Sequence, residues 1–413
     1  MKLHHLYYLL VLCCLTSLTG CGEKKESDAK EAETTEEELT ADQGKGSLYA
    51  WQFPNEDLEK AWKRYSYSEE RWWGDFPKDL KAPEGDMFEA YPWAIGPFDK
   101  YEKNPVLSPT PGDWDKGRMS GGVHNGAVIV KDDIFYYIYR GEQPLDITLD
   151  TRIDYIGDIG IATSKDGYNF TKDTLHSPLF RTGEDRKYSF EDVNIVKHGD
   201  TYYLFCNQWY WPDQDNYEIN GTFLATSKDL INWEKKGIVF PDATTTHRNA
   251  VVLQNPDNEA VKVNGKFVMY LNYGLMAYSD DMVNWESKEV APEHRFPGGE
   301  GCFALADYDP ENPDNIILFT GGNHTGHFYA IGEVLFNKSN PEKPLEYLPR
   351  PVLKADPEIP FEHGFSAEDP EKMISVFADC IFFNGLTREK NKWWAYYGGS
   401  EYYTNLAQAP VER

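Results

Sequence analysis

From Phe98 onward the chain alternates short apolar runs with polar turn residues, the pattern of strands rather than of long helices. Residues 127–130 and 134–139, joined by Asp132-Asp133, predict a hairpin. Residues 189–197 and 201–207, about His198-Gly199-Asp200, predict a second. The runs 249–253 with 266–272, 302–308 with 316–320, and 374–383 with 392–397 predict three more.

One turn motif is written three times. It reads Ser164-Lys165-Asp166-Gly167-Tyr168-Asn169-Phe170, then Ser227-Lys228-Asp229-Leu230-Ile231-Asn232-Trp233, then Ser279-Asp280-Asp281-Met282-Val283-Asn284-Trp285. Each copy follows an apolar run, at 159–163, 222–226 and 275–278. Ser and Asp side chains bond nearby backbone N–H groups and fix a tight turn, and the aromatic packs the next strand onto its sheet. The repeats supply the outer strands of the first three units. Residues 326–336 and 402–408 supply the third strands of the fourth and fifth. Five four-stranded units in series predict an all-β chain, a five-bladed β-propeller over residues 96–413. A β-sandwich is the competing arrangement, but it does not repeat a turn at this period.

The first residues are of another kind. Lys2, an apolar run over 6–18 and Leu18-Thr19-Gly20-Cys21 resemble a bacterial lipoprotein signal over 1–21, with Cys21 as the lipidated residue. An ordinary secretory signal with a chance cysteine is the alternative. Residues 22–47 hold almost nothing apolar and predict a disordered tether. Acidic residues behind Cys21 resemble surface-export signals, which predicts a lipid-anchored protein of the outer membrane, periplasmic or surface-facing. Residues 48–95 read as an N-terminal extension, with a short helix at 55–65 and Trp72, Trp73 and Trp93 among prolines and glycines.

Sixty-eight acidic against 41 basic residues give a net charge of −27, spread along the chain. That balance argues against a nucleic-acid or anionic-lipid partner. Aromatics make up 15% of residues, many beside Asp, Asn or Glu. Such mixtures suit sugars, whose apolar faces stack on rings, and they also suit ordinary β cores. Cys206, Cys302 and Cys380 sit in strand-like runs without metal-ligand spacing and read as buried apolar residues, one disulfide among them being possible. Neither a metal nor a cofactor is expected.

In a propeller the inner strand of each blade lines the axis, so polar residues there stand out. The five units offer His124-Asn125-Gly126, Glu191-Asp192-Val193-Asn194, Thr246-His247-Arg248-Asn249, Gly298-Gly299-Glu300-Gly301, and Ser375 and Asp379 with Ser400-Glu401. Convergent polar groups of this kind mark a ligand site. Glu300, with glycine on both sides, stands clear of the backbone as a candidate base. Arg140 and Arg248 are candidate clamps for an anionic substrate group. Trp209-Tyr210-Trp211 is a candidate stacking wall. His324 and His327 lack a third ligand at metal spacing and read as a loop over the pocket.

At these residues the chain resembles glycoside hydrolase family 130, the β-mannoside phosphorylases and hydrolases built on a five-bladed propeller. The resemblance runs from about Gly96 to Ala407. It includes Gly96-Pro97-Phe98, Asn104-Pro105-Val106-Leu107, Tyr139-Arg140-Gly141, Phe190-Glu191-Asp192, Ala225-Thr226-Ser227-Lys228-Asp229-Leu230, Val376-Phe377 and Tyr396-Tyr397-Gly398-Gly399. It implies Asp192 as general acid, passing its proton through a substrate hydroxyl. Glu191 is then an acid or a sugar ligand, and Tyr397 joins the substrate contacts. The chain departs from the family's phosphorylases, which read Glu-Asp-Pro-Arg where Asn194 ends the motif here. They also end the terminal motif in Asp where this chain has Glu401. A neutral Asn cannot hold phosphate as a guanidinium does. The departures favour an inverting hydrolase with water as nucleophile, Asp192 as acid, and Glu300 or else Glu401 as base, acting on an oligosaccharide. His124, Asn125, Arg140, Asn194, Trp209, His247, Arg248 and Asp379 then serve as substrate contacts. The rivals are a propeller glycosidase for a uronic or algal sugar, a β-mannoside phosphorylase, and a non-catalytic glycan-binding lipoprotein.

Overall fold

The computed structural model describes residues 72, 85–116, 121–144, 155–180, 188–210, 218–243, 247–321, 323–324, 328–375 and 377–412. The signal segment with Cys21, the tether, the helix at 55–65, and Trp73, Trp211 and His327 lie outside the described residues, as does the side chain of His324.

Five antiparallel sheets form a ring. The first blade runs outward through Val123–Lys131, Ile134–Pro144, Tyr155–Ser164 and Thr171–Lys172. The second runs through Tyr188–His198, Thr201–Tyr210, Glu218–Ser227 and Trp233–Ile238. The third has Val251–Val252, Lys266–Tyr270, Leu275–Ser279 and Glu286–Glu289, with Lys262–Val263 also paired to Lys266–Tyr270. The fourth has Glu300–Ala306, Asn315–Gly321, Gly332–Asn337 and Glu346–Tyr347. The fifth has Ile381–Glu389, Lys392–Gly399, Tyr403–Pro410 and, from before the first blade, Asp99–Lys100. The first-named strand of each sheet touches its counterparts on both sides, which closes the ring.

Alternation along the strands explains why the ring holds. Leu204 and Cys206 face the seam with the first blade, where they meet Ile138 and Ile161. Phe205, between them, faces the third blade and meets Val252 and Met269. Ile316 and Leu318 likewise serve the seam between the third and fourth blades, and Ile317 and Phe319 the next. The last seam is aromatic: Tyr137 and Tyr396 centroids lie 5.5 Å apart, Phe135 and Trp394 5.3 Å. Strands buried on both faces read as continuous apolar runs, and each face drives one seam together through removal of apolar surface from water.

Hairpin turns and motif turns set the register. Asp132 and Asp133 (φ 53° and 60°), Asn264 and Gly265 (52° and 84°) and Lys390 and Asn391 (51° and 59°) are paired left-handed positions, as two-residue hairpins require. In the repeated motif, Asp229 Oδ1 accepts the backbone N–H groups of Ile231 and Asn232 at 2.9 and 2.7 Å, and Oδ2 accepts Asn232 Nδ2 at 2.8 Å. Ser227 Oγ accepts the N–H groups of Asp229 and Leu230 at 3.1 and 2.9 Å. Asp166 and Asp281 repeat the arrangement with Asn169 and Asn284. Trp233 and Trp285 each donate Nε1–H to the carbonyl three residues back.

Two strand expectations are corrected. The fifth inner strand begins at Ile381 rather than 374, because the preceding residues turn through Asp379 at φ 61°. The fourth blade's third strand begins at Gly332 rather than 326; Phe328–Tyr329 instead pairs with Asn323–His324 as a separate small hairpin. Of the extension, Met87–Ala90 is a short helix capped by Asp86, and Trp93 packs into the seam of the last two blades.

Candidate active site

The inner strands break register where their polar residues sit: between His124 and Ala127, Glu191 and Asn194, Gly301 and Phe303, and Phe383 and Gly385. Such bulges turn a side chain away from the regular pleat. Asn125 and Asp192 occupy two of them in the left-handed region, at φ 46° and 53°, and Asn249 does the same at 54° ahead of the third inner strand. Asn and Asp accept that conformation more readily than other side chains.

Asp192 is the hub. Its Oδ1 accepts Asn125 Nδ2 at 2.9 Å, with Arg140 Nη1 at 3.7 Å. Its Oδ2 accepts Asn207 Nδ2 at 2.9 Å, with Arg248 Nη2 at 3.6 Å. Three blades therefore converge on one buried carboxyl group. Arg140, itself buried, also pairs through Nη2 with Glu142 and, at 2.9 Å, with Glu191 Oε1. His124 Nε2 lies 3.6 Å from Glu142 Oε1. On the other flank, Arg248 donates Nε–H to Asn249 Oδ1 at 3.1 Å and lies 5.8 Å from the Trp209 ring centre. Asn207 Oδ1 accepts the Asn249 N–H at 2.8 Å, which ties the second blade to the third.

Glu300 opens the fourth inner strand and is buried. Burial pushes its carboxyl above the usual range; Arg248 and Asn249 pull it back, and the charge on Asp192 pushes it further up. Glu401 stands on the turn after Lys392–Gly399, with Ser400 and Glu401 both left-handed at φ 51° and 53°. It keeps some contact with solvent. Its depth in the ring pushes the carboxyl up to about 7, against the pull of Arg140 and His124 and with the push of Glu142 and Asp192. Glu300 and Glu401 both feel the charge on Asp192, so the three acids share one electrostatic site. Tyr329 belongs there too: burial raises its phenol well above 10, and Glu300, Arg248 and Glu401 all act on it.

The ring thus gathers His124, Asn125, Arg140, Glu191, Asp192, Trp209, Arg248, Glu300 and Glu401. Asn194 is buried past the break in register. His247 is buried with its ring 4.6 Å from that of Phe240, and its carbonyl accepts Thr222 Oγ1 at 3.0 Å. Asp379 and Tyr397 go elsewhere: Asp379 binds His363 Nδ1, and Tyr397 donates its hydroxyl to Glu362 Oε1 at 2.6 Å. Sequence reasoning missed Glu142, Asn207 and Tyr329. Glu142 lies two residues past Arg140 and so shares its strand face, and Asn207 is a polar residue ending an apolar run; either signal was readable. Tyr329 carried none. Among the described residues no His, Cys, Asp and Glu group has metal-holding geometry.

No family model matches the chain. A 1,2-beta-oligomannan phosphorylase from Thermoanaerobacter sp. (strain X514) is 29% identical over 308 residues, 72% of this chain and 92% of that protein. A solved structure from work on glycoside hydrolases of the GH130 mannoside phosphorylase family, which target β-1,2-mannosidic linkages in Candida mannan, is 22% identical with a TM-score of 0.61. It covers 80% of this chain and 96% of its own. The β-1,2-mannobiose phosphorylase from Listeria innocua, in complex with β-1,2-mannobiose, is 17% identical with a TM-score of 0.57, covering 76% and 97%. These two likenesses show the common fold. With the five-bladed ring, the acids on its inner strands and the oligomannan phosphorylase relative, the chain is a glycoside-processing enzyme similar to the mannoside phosphorylases and hydrolases of glycoside hydrolase family 130.

Proposed function

We propose that the protein hydrolyses β-mannosides with inversion, using water where the phosphorylases of that family use phosphate. The observation that carries this reading is the charge balance of the ring. Arg140 is engaged by Glu142, Glu191 and Asp192, and Arg248 by Asp192. The Arg140 guanidinium is neutralised by Glu142 and Glu191 whatever the protonation state of Asp192, and Asn194 adds no charge. A phosphate dianion placed there would face an excess of carboxylates without an open fork to receive it. A uronic glycan would meet the same repulsion, so a neutral sugar fits better.

In this reading water attacks the anomeric carbon from the face opposite the leaving oxygen. Glu300 takes the proton from that water, with Glu401 as the second candidate. Asp192 supplies the leaving oxygen with a proton through a substrate hydroxyl. Asn125 and Asn207 occupy one acceptor direction on each of its oxygens, which leaves a further position on each for a substrate hydroxyl. Trp209, packed by Arg248, offers a ring for a sugar face.

The test is incubation with β-1,2- and β-1,4-mannooligosaccharides, with and without phosphate, followed by NMR. Reducing sugar released first as the α anomer, at a rate indifferent to phosphate, is the expected outcome. Phosphate-dependent sugar 1-phosphate would overturn it. Attachment to the membrane through Cys21 is a separate proposal, tested by loss of lipid labelling in Cys21→Ala.

A further inference from the structure

A second buried charge cluster lies behind Glu401. Glu362 ends the short 3-10 turn Pro360–Glu362 and its side chain is fully buried. Its carboxylate is held on every side: Oε1 accepts the Tyr397 hydroxyl at 2.6 Å, and Oε2 accepts Lys100 Nζ and, at 2.7 Å, the Asp356 N–H. Lys100 comes from the strand Asp99–Lys100 that completes the fifth blade. A buried carboxylate fixed by three donors is a rigid anchor.

What the anchor holds is the backbone next to Glu401. The Glu362 carbonyl accepts Ser400 Oγ at 2.6 Å and the Asp379 N–H at 2.9 Å. Ser400, fully buried, also donates its N–H to the Cys380 carbonyl at 2.8 Å. His363, the next residue, donates Nδ1–H to Asp379 and Nε2–H to the Asp356 carbonyl at 2.8 Å. Ser400 and Glu401 are consecutive left-handed residues, which a loosened turn would not keep, because each carries a Cβ. We propose that Glu362 is a positioning residue for Glu401, its anchored carboxylate and its carbonyl fixing the Ser400–Glu401 turn so that the Glu401 carboxyl faces the acids of the ring. This rests on the reading of Glu401 as a carboxyl of the reaction.

The titratable and charged groups that act on Glu401 are His124, Arg140 and Glu142 of the first blade, Asp192 of the second, Tyr329 of the small hairpin and Cys380 just ahead of the fifth blade's inner strand. None is altered by a change at Glu362. Glu362→Gln would set an amide N–H against Lys100, Tyr397 or the Asp356 N–H. Tyr397→Phe removes one donor conservatively, and Ser400→Ala removes the link to the turn. Two readouts separate this proposal from the hydrolase reading. The first is the pH profile of kcat/KM on a β-mannoside, which should lose its limb near neutrality in Glu362→Gln while kcat falls about tenfold to a hundredfold with KM little changed. The second needs no turnover: the Glu401 carboxyl is titrated by 13C NMR, assigned against Glu401→Gln. Its midpoint should move down toward the ordinary carboxylate range in Glu362→Gln and Ser400→Ala, with a smaller shift in Tyr397→Phe. An unmoved Glu401 titration in folded Ser400→Ala and Tyr397→Phe would overturn the positioning role, whatever the substrate proves to be. An inactive wild type with a shifted titration would overturn the hydrolase reading alone.

Discussion

Asn125 Nδ2 stands 2.9 Å from Asp192 Oδ1, a hydrogen bond between two left-handed residues on the inner strands of neighbouring blades. The same carboxyl group is met from the other side by Asn207 at 2.9 Å. Asp192→Asn would put an amide N–H against one of these donors and remove the acid. Turnover should fall by about 10²–10⁴ with the circular dichroism of the folded protein retained. Near-normal turnover would remove Asp192 from the acid role. Asn125→Ala, which leaves the carboxyl in place, should cost less.

Glu401 sets a pH limb. Its carboxyl is raised to about 7, so it is protonated below that pH and ionised above it. If it takes a proton from water, kcat/KM rises with pH through about 7, and Glu401→Gln abolishes the limb. The stability effect has a definite sign. The folded state holds this proton more tightly than the unfolded chain, where a glutamate titrates near about 4.3. The group's contribution to stability is complete below that value and is lost as pH rises toward about 7. Thermal unfolding should therefore show Glu401→Gln gaining on the wild type at pH 8 relative to pH 4.

The motif turns predict acid sensitivity of the opposite sign. Partial burial pushes Asp166 and Asp229 up, but the N–H groups of Asn169 and Asn232 and of the residues before them outweigh it and hold both carboxyls well below the usual range. Asp281 sits at about 2, chiefly through the Asn284 backbone N–H. Their contribution is present above about pH 4 and lost as the pH falls through the folded values. Asp229→Ala should cost about 1 kcal/mol at neutral pH, as loss of a side-chain cap does. Mutant and wild-type denaturation midpoints should converge in strong acid.

Cys206, Cys302 and Cys380 are free and buried, and burial pushes all three thiols well above 9. A thiol reagent should leave them unmodified in the native protein and label all three after denaturation. Rapid labelling of Cys380, which lies beside Glu401, would show that the ring opens.

The propeller was legible because two periods agree in this chain. Apolar runs at strand length mark the sheets, and the repeated Ser-x-Asp turn marks the blades. The fourth blade's third strand was placed but started too early; its turn reads Asn337-Lys338-Ser339-Asn340, where Asn337 takes the place of the motif's Ser and its Oδ1 accepts the Ser339 N–H at 2.9 Å. The candidate site was legible on inner strands, where a polar residue has no core to join. Second strands were harder: Glu142 and Asn207 reach the axis from runs that otherwise pack seams. Asp379 looks like an axial residue in sequence, yet it binds His363 beside the Glu362 anchor, because the chain before Ile381 is a loop rather than the inner strand; Tyr397, a site residue only through the family resemblance, bonds Glu362 instead.

The pairing of Asp99 with Gln408 and Lys100 with Ala407 joins chain positions made before the first blade to positions made after the fourth. During synthesis the first four blades can assemble as they emerge, but the fifth waits with its outermost strand already made and its other three not yet translated. Until then the seams on either side of the gap, one of them lined by Tyr137 and Phe135, stay open to water. Final closure therefore acts as a completeness check: a chain cut short of its last strand would keep an unzipped wedge and expose those rings to chaperones and proteases.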